Sequence, residues 1–157
     1  MSAEATNEAE RLGILGRTIT GIYVGTDEES MVLDTDMGRV VWATDADCCS
    51  TTWFADIKGT ANLIGHRVLA ATRVQYDDPE DGRTRQEVDS VESIKITTDA
   101  GEAEVIWRNS SNGYYGGSVY WPDDAALPEW YHVEPPDLST LTAVTADWQA
   151  PAQEPWT

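Results

Sequence analysis

Basic residues are scarce in this chain. Ten Lys and Arg stand against 28 Asp and Glu, giving a formal net charge of −18. Such a balance repels phosphate backbones and excludes a basic nucleic-acid groove. Long apolar runs are missing too, so no segment is read as a membrane-spanning helix. The opening Met-Ser-Ala-Glu-Ala-Thr-Asn-Glu-Ala-Glu is acidic where a signal peptide is basic and then apolar. Cysteine is limited to the neighbours Cys48 and Cys49, which excludes a disulfide framework and fits a reducing compartment. Histidine occurs twice, as His66 and His132, and phenylalanine once. These absences predict a soluble, intracellular protein with no direct nucleic-acid or membrane partner.

Large amphipathic aromatics are present instead: seven Trp and six Tyr in 157 residues. Both types carry an apolar body and a hydrogen-bonding tip, which suits half-buried surfaces and interfaces. The length fits one domain with a sizeable core. Ser2 begins a short helical pattern over residues 2–12, closed by Gly13 and Gly16. From Arg17 the pattern turns to strands: Ile19, Ile22, Tyr23 and Val24 with an interruption at Gly21, then Met31–Leu33, a Thr35-Asp36-Met37-Gly38 turn, and Arg39–Ala43. The same design recurs. Gly16-Arg-Thr-Ile-Thr resembles Gly65-His-Arg-Val-Leu, Thr-Asp-x-Gly stands at 35–38 and at 98–101, and Val40-Val41-Trp42 is matched by Val105-Ile106-Trp107. The fold predicted is mainly β, with six to seven antiparallel strands in two related meanders, barrel-like or sandwich, and little helix. The pseudo-repeats cover about 16–50 and 65–118. Between them Thr51–Gly59 is an apolar element of open type, and Thr60 is a candidate N-cap for one helical turn.

The chain divides into an acidic N-terminal segment (1–15), a β domain (16–121) and a tail (122–157). The tail holds six of the seven prolines, seven carboxylates and no Lys or Arg, which argues for an extended course. Trp130, Tyr131, Trp148 and Trp156 argue that it docks on its own domain or on a second copy. Leu138–Val144 is a short strand candidate.

Three stretches carry a family resemblance: Asp47-Cys48-Cys49, Trp53-Phe54-Ala55-Asp56-Ile57, and Asn109-Ser110-Ser111-Asn112-Gly113-Tyr114-Tyr115. Over roughly residues 13–121 the sequence resembles a small family of unknown function found in tailed-phage and prophage genomes. The resemblance implies a phage accessory protein in the host cytoplasm and carries over no catalytic residue and no cofactor.

If the two halves superpose, the polar segments after Trp42 and Trp107 lie at equivalent strand ends. Asp45, Asp47, Cys48, Cys49 and Ser50 then stand near Asn109, Ser110, Asn112, Tyr114 and Tyr115. A nucleophilic Cys48 or Cys49 needs a base, and neighbouring carboxylates raise a thiol's pKa. Asp45-x-Asp47 with Asn109 or Asn112 offers oxygen ligands for Mg²⁺ or Ca²⁺ but lacks a fixed ligand spacing. Recognition without catalysis fits the residue types best. Tyr114, Tyr115 and Trp53 supply stacking faces, Asn109 and Asn112 directional hydrogen bonds, and Arg108 the nearest cation for a phosphate. The expectation is a non-enzymatic binding protein for a small molecule, a host nucleotide signal among them, or for a host protein. The alternative is an acidic decoy that blocks a basic nucleic-acid-binding host protein through the Asp77–Asp81 loop and the tail. A cysteine- or metal-dependent hydrolase ranks third. The tail also suggests a homo-oligomer.

Overall fold

The computed structural model describes residues 8–46, 50–76, 88–111, 117–121 and 138–151; of Ala46 and Val88 it describes the backbone alone. Residues 8–11 are helical and Gly13 turns the chain at φ 76°. The strands that follow are β1 (Ile19–Gly25), β2 (Ser30–Thr35), β3 (Gly38–Ala46), β4 (Thr51–Lys58), β5 (Val68–Tyr76), β6 (Val88–Thr98), β7 (Gly101–Ser111), β8 (Gly117–Tyr120), β9 (Leu141–Ala143) and β10 (Trp148–Gln149). They form two antiparallel sheets, ordered β8-β3-β2-β1-β9 and β10-β4-β7-β6-β5, which pack as a sandwich rather than a closed barrel.

The two meanders predicted from sequence are β1-β2-β3 and β5-β6-β7, one in each sheet. Their second corners are built alike. The Thr35 hydroxyl donates to the Gly38 carbonyl, and the Thr98 hydroxyl to the Asn62 carbonyl at 2.5 Å, with the Gly101 carbonyl farther off at 3.3 Å. Each hydroxyl accepts the N–H two residues on, from Met37 and from Ala100, at 3.1 Å in both. The glycines close the turns at φ 111° and 146°, which a side chain would strain. Each corner Asp also reaches to the start of its meander: Asp36 accepts from Thr18 N and Asp99 from Arg67 N.

These starts pair with each other. Ile19 N donates to His66 O and Val68 N to Arg17 O, at 3.1 and 2.9 Å. Gly16 N donates to Val68 O and Gly65 N to Ile19 O, at 3.0 and 2.6 Å. Donor and acceptor exchange between the halves, so the seam has local twofold character about the Thr18–Arg67 bridge.

The count exceeds the six to seven strands expected because Thr51–Lys58 is a strand and the tail adds two more. β4 hid from a period-two reading for a physical reason. A register shift between Phe54 and Asp56 lets Phe54 and Ile57, three apart, both enter the core. Comparable shifts serve Ile19 with Ile22 in β1 and Val68 with Ala71 in β5. The core between the sheets is anchored by Trp42 and Trp107, exposed 0% and 1%. Trp42 Nε1 donates to Leu12 O at 2.8 Å, tying the N-terminal segment to the core.

β4 follows β3 but crosses to the second sheet to pair with β7, and β8 follows β7 but crosses back to pair with β3. In the tail, β9 pairs with β1 and β10 with β4. Its anchors are Val144, Trp148 and Ala150; Trp130, Tyr131 and the Asp77–Asp81 loop lie outside the described residues. The helical turn Thr60–Leu63 forms, but its N-cap is Gly59, at φ 73°, not Thr60. The capping oxygen comes from far along the chain: Asp147 Oδ1 accepts from Thr60 N and Thr60 Oγ1, both at 3.1 Å.

Hydrogen bonds from the Thr60 backbone and then its hydroxyl hold the Asp147 carboxyl below its ordinary value. A lowered folded pKa stabilises docking of the tail fully above the unfolded carboxylate range near 3.9, and the effect is lost as pH falls below it. The protection factor of the Ala150 amide, its exchange measured against the intrinsic rate at each pH, is therefore expected to fall on acidification below about pH 4. In Asp147→Asn that acid step should be missing, and an unchanged step would remove Asp147 as its cause.

Candidate functional site

The chain crosses between the sheets twice at one end of the sandwich, and the candidate polar segments lie there. The last pairs before the crossings are Ala46 with Gly117 and Thr51 with Ser110. On the inner face of β7, Asn109 Nδ2 donates to Ser50 Oγ at 3.2 Å and to Thr52 Oγ1 at 2.9 Å. Thr52 Oγ1 in turn donates to the backbone carbonyl of Asp45 at 2.9 Å. Asp45 pairs with Ser118 across β3 and β8. Asp45, Ser50 and Asn109 thus meet through one short network. Desolvation, and then the charge of Asp45, raise the Tyr120 hydroxyl pKa above its ordinary value.

Gly117 is held by this network. A Cβ there would meet Thr52 Oγ1 at 1.9 Å, with Asn109 Nδ2 and the Asp45 carbonyl at 2.6 Å. Only a residue without a side chain lets β8 approach so closely.

Trp107 precedes Asn109 by two residues on the same face. Trp107 Nε1 and Asn109 Oδ1 are both buried with no hydrogen-bond partner among the described residues. The Arg73 guanidinium lies over the Trp107 ring, 5.7 Å from its centroid. Arg73 also donates to Glu92, 2.9 Å from Nε, and to Ser118 Oγ at 3.2 Å. Sequence reasoning passed over Arg73 because it reaches Trp107 only through the placing of β5 and β7 on either side of β6, and Ser118 only through the packing of the other sheet.

Two candidates lie elsewhere. Trp53 and Arg108 are a cross-strand pair on the opposite face of the sheet from Asn109. Trp53 packs with Ala55, Ala150 and Trp148. Arg108, expected to meet a phosphate, is 4% exposed and bonded to Asp89, itself 0% exposed, at 2.8 Å. Ser110 Oγ donates to the other Asp89 oxygen. Desolvation makes a charge so enclosed a poor ligand for an incoming anion. Asp47, Cys48, Cys49, Asn112, Tyr114 and Tyr115 lie outside the described residues. His66 stands beside Asp99, 3.2 Å away, at the far end of β7 from Asn109. Eleven residues of strand separate those ends by about 33 Å, so His66 does not join Asp45, Ser50 and Asn109. Among the described residues no three His, Cys, Asp or Glu side chains gather as a metal-binding group, and no helix is long and apolar enough to cross a membrane.

A family model described as a domain of unknown function, DUF7448, matches residues 12–121. The chain belongs to the DUF7448 family. An uncharacterized protein of Acanthamoeba polyphaga mimivirus is 33% identical over 90 residues, which are 54% of this chain and 68% of that protein. No solved structure matches. The DUF7448 match starts at Leu12 and ends at Trp121, and these ends meet in space. A Cβ on Gly13 would lie 2.9 Å from the Trp121 ring, and Leu12 O holds Trp42. The tail lies outside the match.

Two substitutions test the site's construction by chemical denaturation. Gly117→Ala should cost about 1–3 kcal/mol through overpacking. Asp89→Ala, which leaves the Arg108 charge buried without its carboxylate, should cost about 3–5 kcal/mol. Adding Arg108→Met to Asp89→Ala should recover much of that loss.

Proposed function

We propose that this chain is a non-enzymatic accessory protein of viral, tailed-phage type that binds a small ligand at the crossing end of the sandwich, a host nucleotide signal being the class favoured. The observation that carries this reading is the pair of buried polar atoms on one face of β7, Trp107 Nε1 and Asn109 Oδ1, neither with a partner among the described residues. Buried donors and acceptors in native structures are nearly always satisfied, so a donor and an acceptor on one strand face, two residues apart, fit a guest that offers the complementary pair. A base edge carries such a pair. Arg73, over the ring of Trp107, replaces Arg108 as the candidate cation.

Chain position adds further support. Tyr114 and Tyr115 fall in the five-residue connection 112–116 between Ser111 and Gly117. Cys48 and Cys49 fall between Ala46 and Ser50 in the other connection. Both connections begin and end beside residues of the network of Asn109, Thr52 and Asp45 in the chain. The mimivirus relative is consistent with a viral setting, and the host cytoplasm is the proposed place of action.

The test is a thermal-shift panel of nucleotides. A ligand at a hundredfold excess over its Kd stabilises by about 2.7 kcal/mol, which should raise the Tm by about 5–10 °C for a chain of this size. Tyr115→Ala and Asn109→Ala should abolish that rise, with Tyr115→Ala leaving the ligand-free Tm unchanged. A panel in which no nucleotide shifts the Tm, or a shift indifferent to both substitutions, would sink the assignment.

A further inference from the structure

The DUF7448 unit, residues 12–121, closes on itself where Gly13 meets Trp121. Within it each sheet has four strands, and β1 and β4 each end one of them. The tail then lays a strand on both of these edges. Along β1, Thr26 N donates to Thr140 O at 3.2 Å and Val144 N to Ile22 O at 2.9 Å. Along β4, Ala150 N donates to Ala55 O at 2.8 Å. Main-chain bonds of this kind give affinity to any extended segment, and selectivity comes from the side chains between them. Here the selective groups are definite. Val144 enters the core at 3% exposure, the Asp147 carboxylate takes both the N–H and the hydroxyl of Thr60, and Trp148 packs with Trp53, Ala55 and Ala150.

The fit is real but small in extent. β9 has three residues and β10 two, and Thr142 and Ala143 before Val144, with Thr145 and Ala146 after it, are exposed. Short pairings with few buried contacts open at low free energy. The sixteen residues 122–137 join this segment to the DUF7448 unit, and Pro122, Pro128, Pro135 and Pro136 lie among them. Sixteen residues reach up to about 53 Å, beyond the breadth of a domain whose radius of gyration is about 13 Å. The covalent link therefore permits the segment to reach its own rim or a neighbour's, the condition for exchange of identical elements between protomers.

We propose that the rim made by the edges of β1 and β4 with Thr60 is a peptide-binding site for an extended segment carrying Val144, Asp147, Trp148 and Ala150, and that a second copy of this chain supplies that segment in trans. The segment of the same chain is the resident competitor, and partner exchange proceeds by its release.

A fluorescein-labelled peptide of residues 138–151, titrated into the full-length chain and read by anisotropy, tests this. In the wild-type chain the resident segment competes at an effective concentration in the millimolar range, so the peptide binds weakly. The Asp147→Ala chain, with its own clasp weakened, should bind the peptide at least tenfold more tightly. A peptide bearing the same substitution should bind that chain at least tenfold more weakly than the unsubstituted one. If Asp147→Ala does not fold, Asp147→Asn serves in the same comparison. Light scattering of the concentrated wild-type chain should show a dimer that excess peptide dissolves. A peptide that binds both chains equally, or ignores its own substitution, overturns the site. A chain that stays monomeric at millimolar concentration overturns the second copy as occupant.

Discussion

Each sheet of this protein is finished by a strand from the other half of the chain, and the rest of the architecture depends on that exchange. β4 leaves the first meander to pair with β7, and β8 leaves the second to pair with β3. A three-stranded meander with one apolar face is marginal alone. Crossing makes each meander part of the other's sheet, so Trp42 and Trp107 are enclosed together. The crossings also set where polar groups collect. Chains that pass between layers leave the regular ladder there, and the Asp45 carbonyl is met by the Thr52 hydroxyl, which Asn109 in turn holds.

The twofold likeness is strongest at the far seam and weaker at the crossing end. At the seam, corresponding residues of the two starts exchange backbone hydrogen bonds. At the crossing end, Trp42 has Leu12 O for its ring N–H, whereas Trp107 has no partner among the described residues and a guanidinium over its ring instead. The two tryptophans occupy matching places in matching meanders with different polar surroundings. The departure from likeness falls beside Asn109, in the half that carries Tyr114 and Tyr115.

Acidity is handled by local pairing rather than spread evenly. Arg11, Arg39, Arg73 and Arg108 each hold a carboxylate, Glu8, Asp34, Glu92 and Asp89 respectively. The first two pairs are at least partly open to solvent and add little to stability. The Arg108–Asp89 pair is enclosed and serves geometry, fixing Ser110 and the end of β7.

Strand periodicity, the repeated Thr-Asp-x-Gly corners and the matched Val-x-Trp segments made the two meanders legible, because hairpin chemistry is local and each corner Thr hydroxyl accepts the N–H two residues on. Asn109, Ser50 and Asp45 could be placed near one another by superposing the halves. Other features were not legible. β4 was obscured by the bulge that brings Phe54 and Ile57 to one face. The cap of Thr60 is an Asp eighty-seven residues away. Arg108 reads as a surface cation until the burial of Asp89 beside it is known, and Arg73 reaches Trp107 only because β5 and β7 flank β6 in one sheet. The sequence by itself determined the hairpins and the alternation of their faces, which are set by neighbouring residues. Tertiary structure alone decided which strands cross, which charges are buried and where the tail seats, since those depend on contacts between segments far apart in the chain.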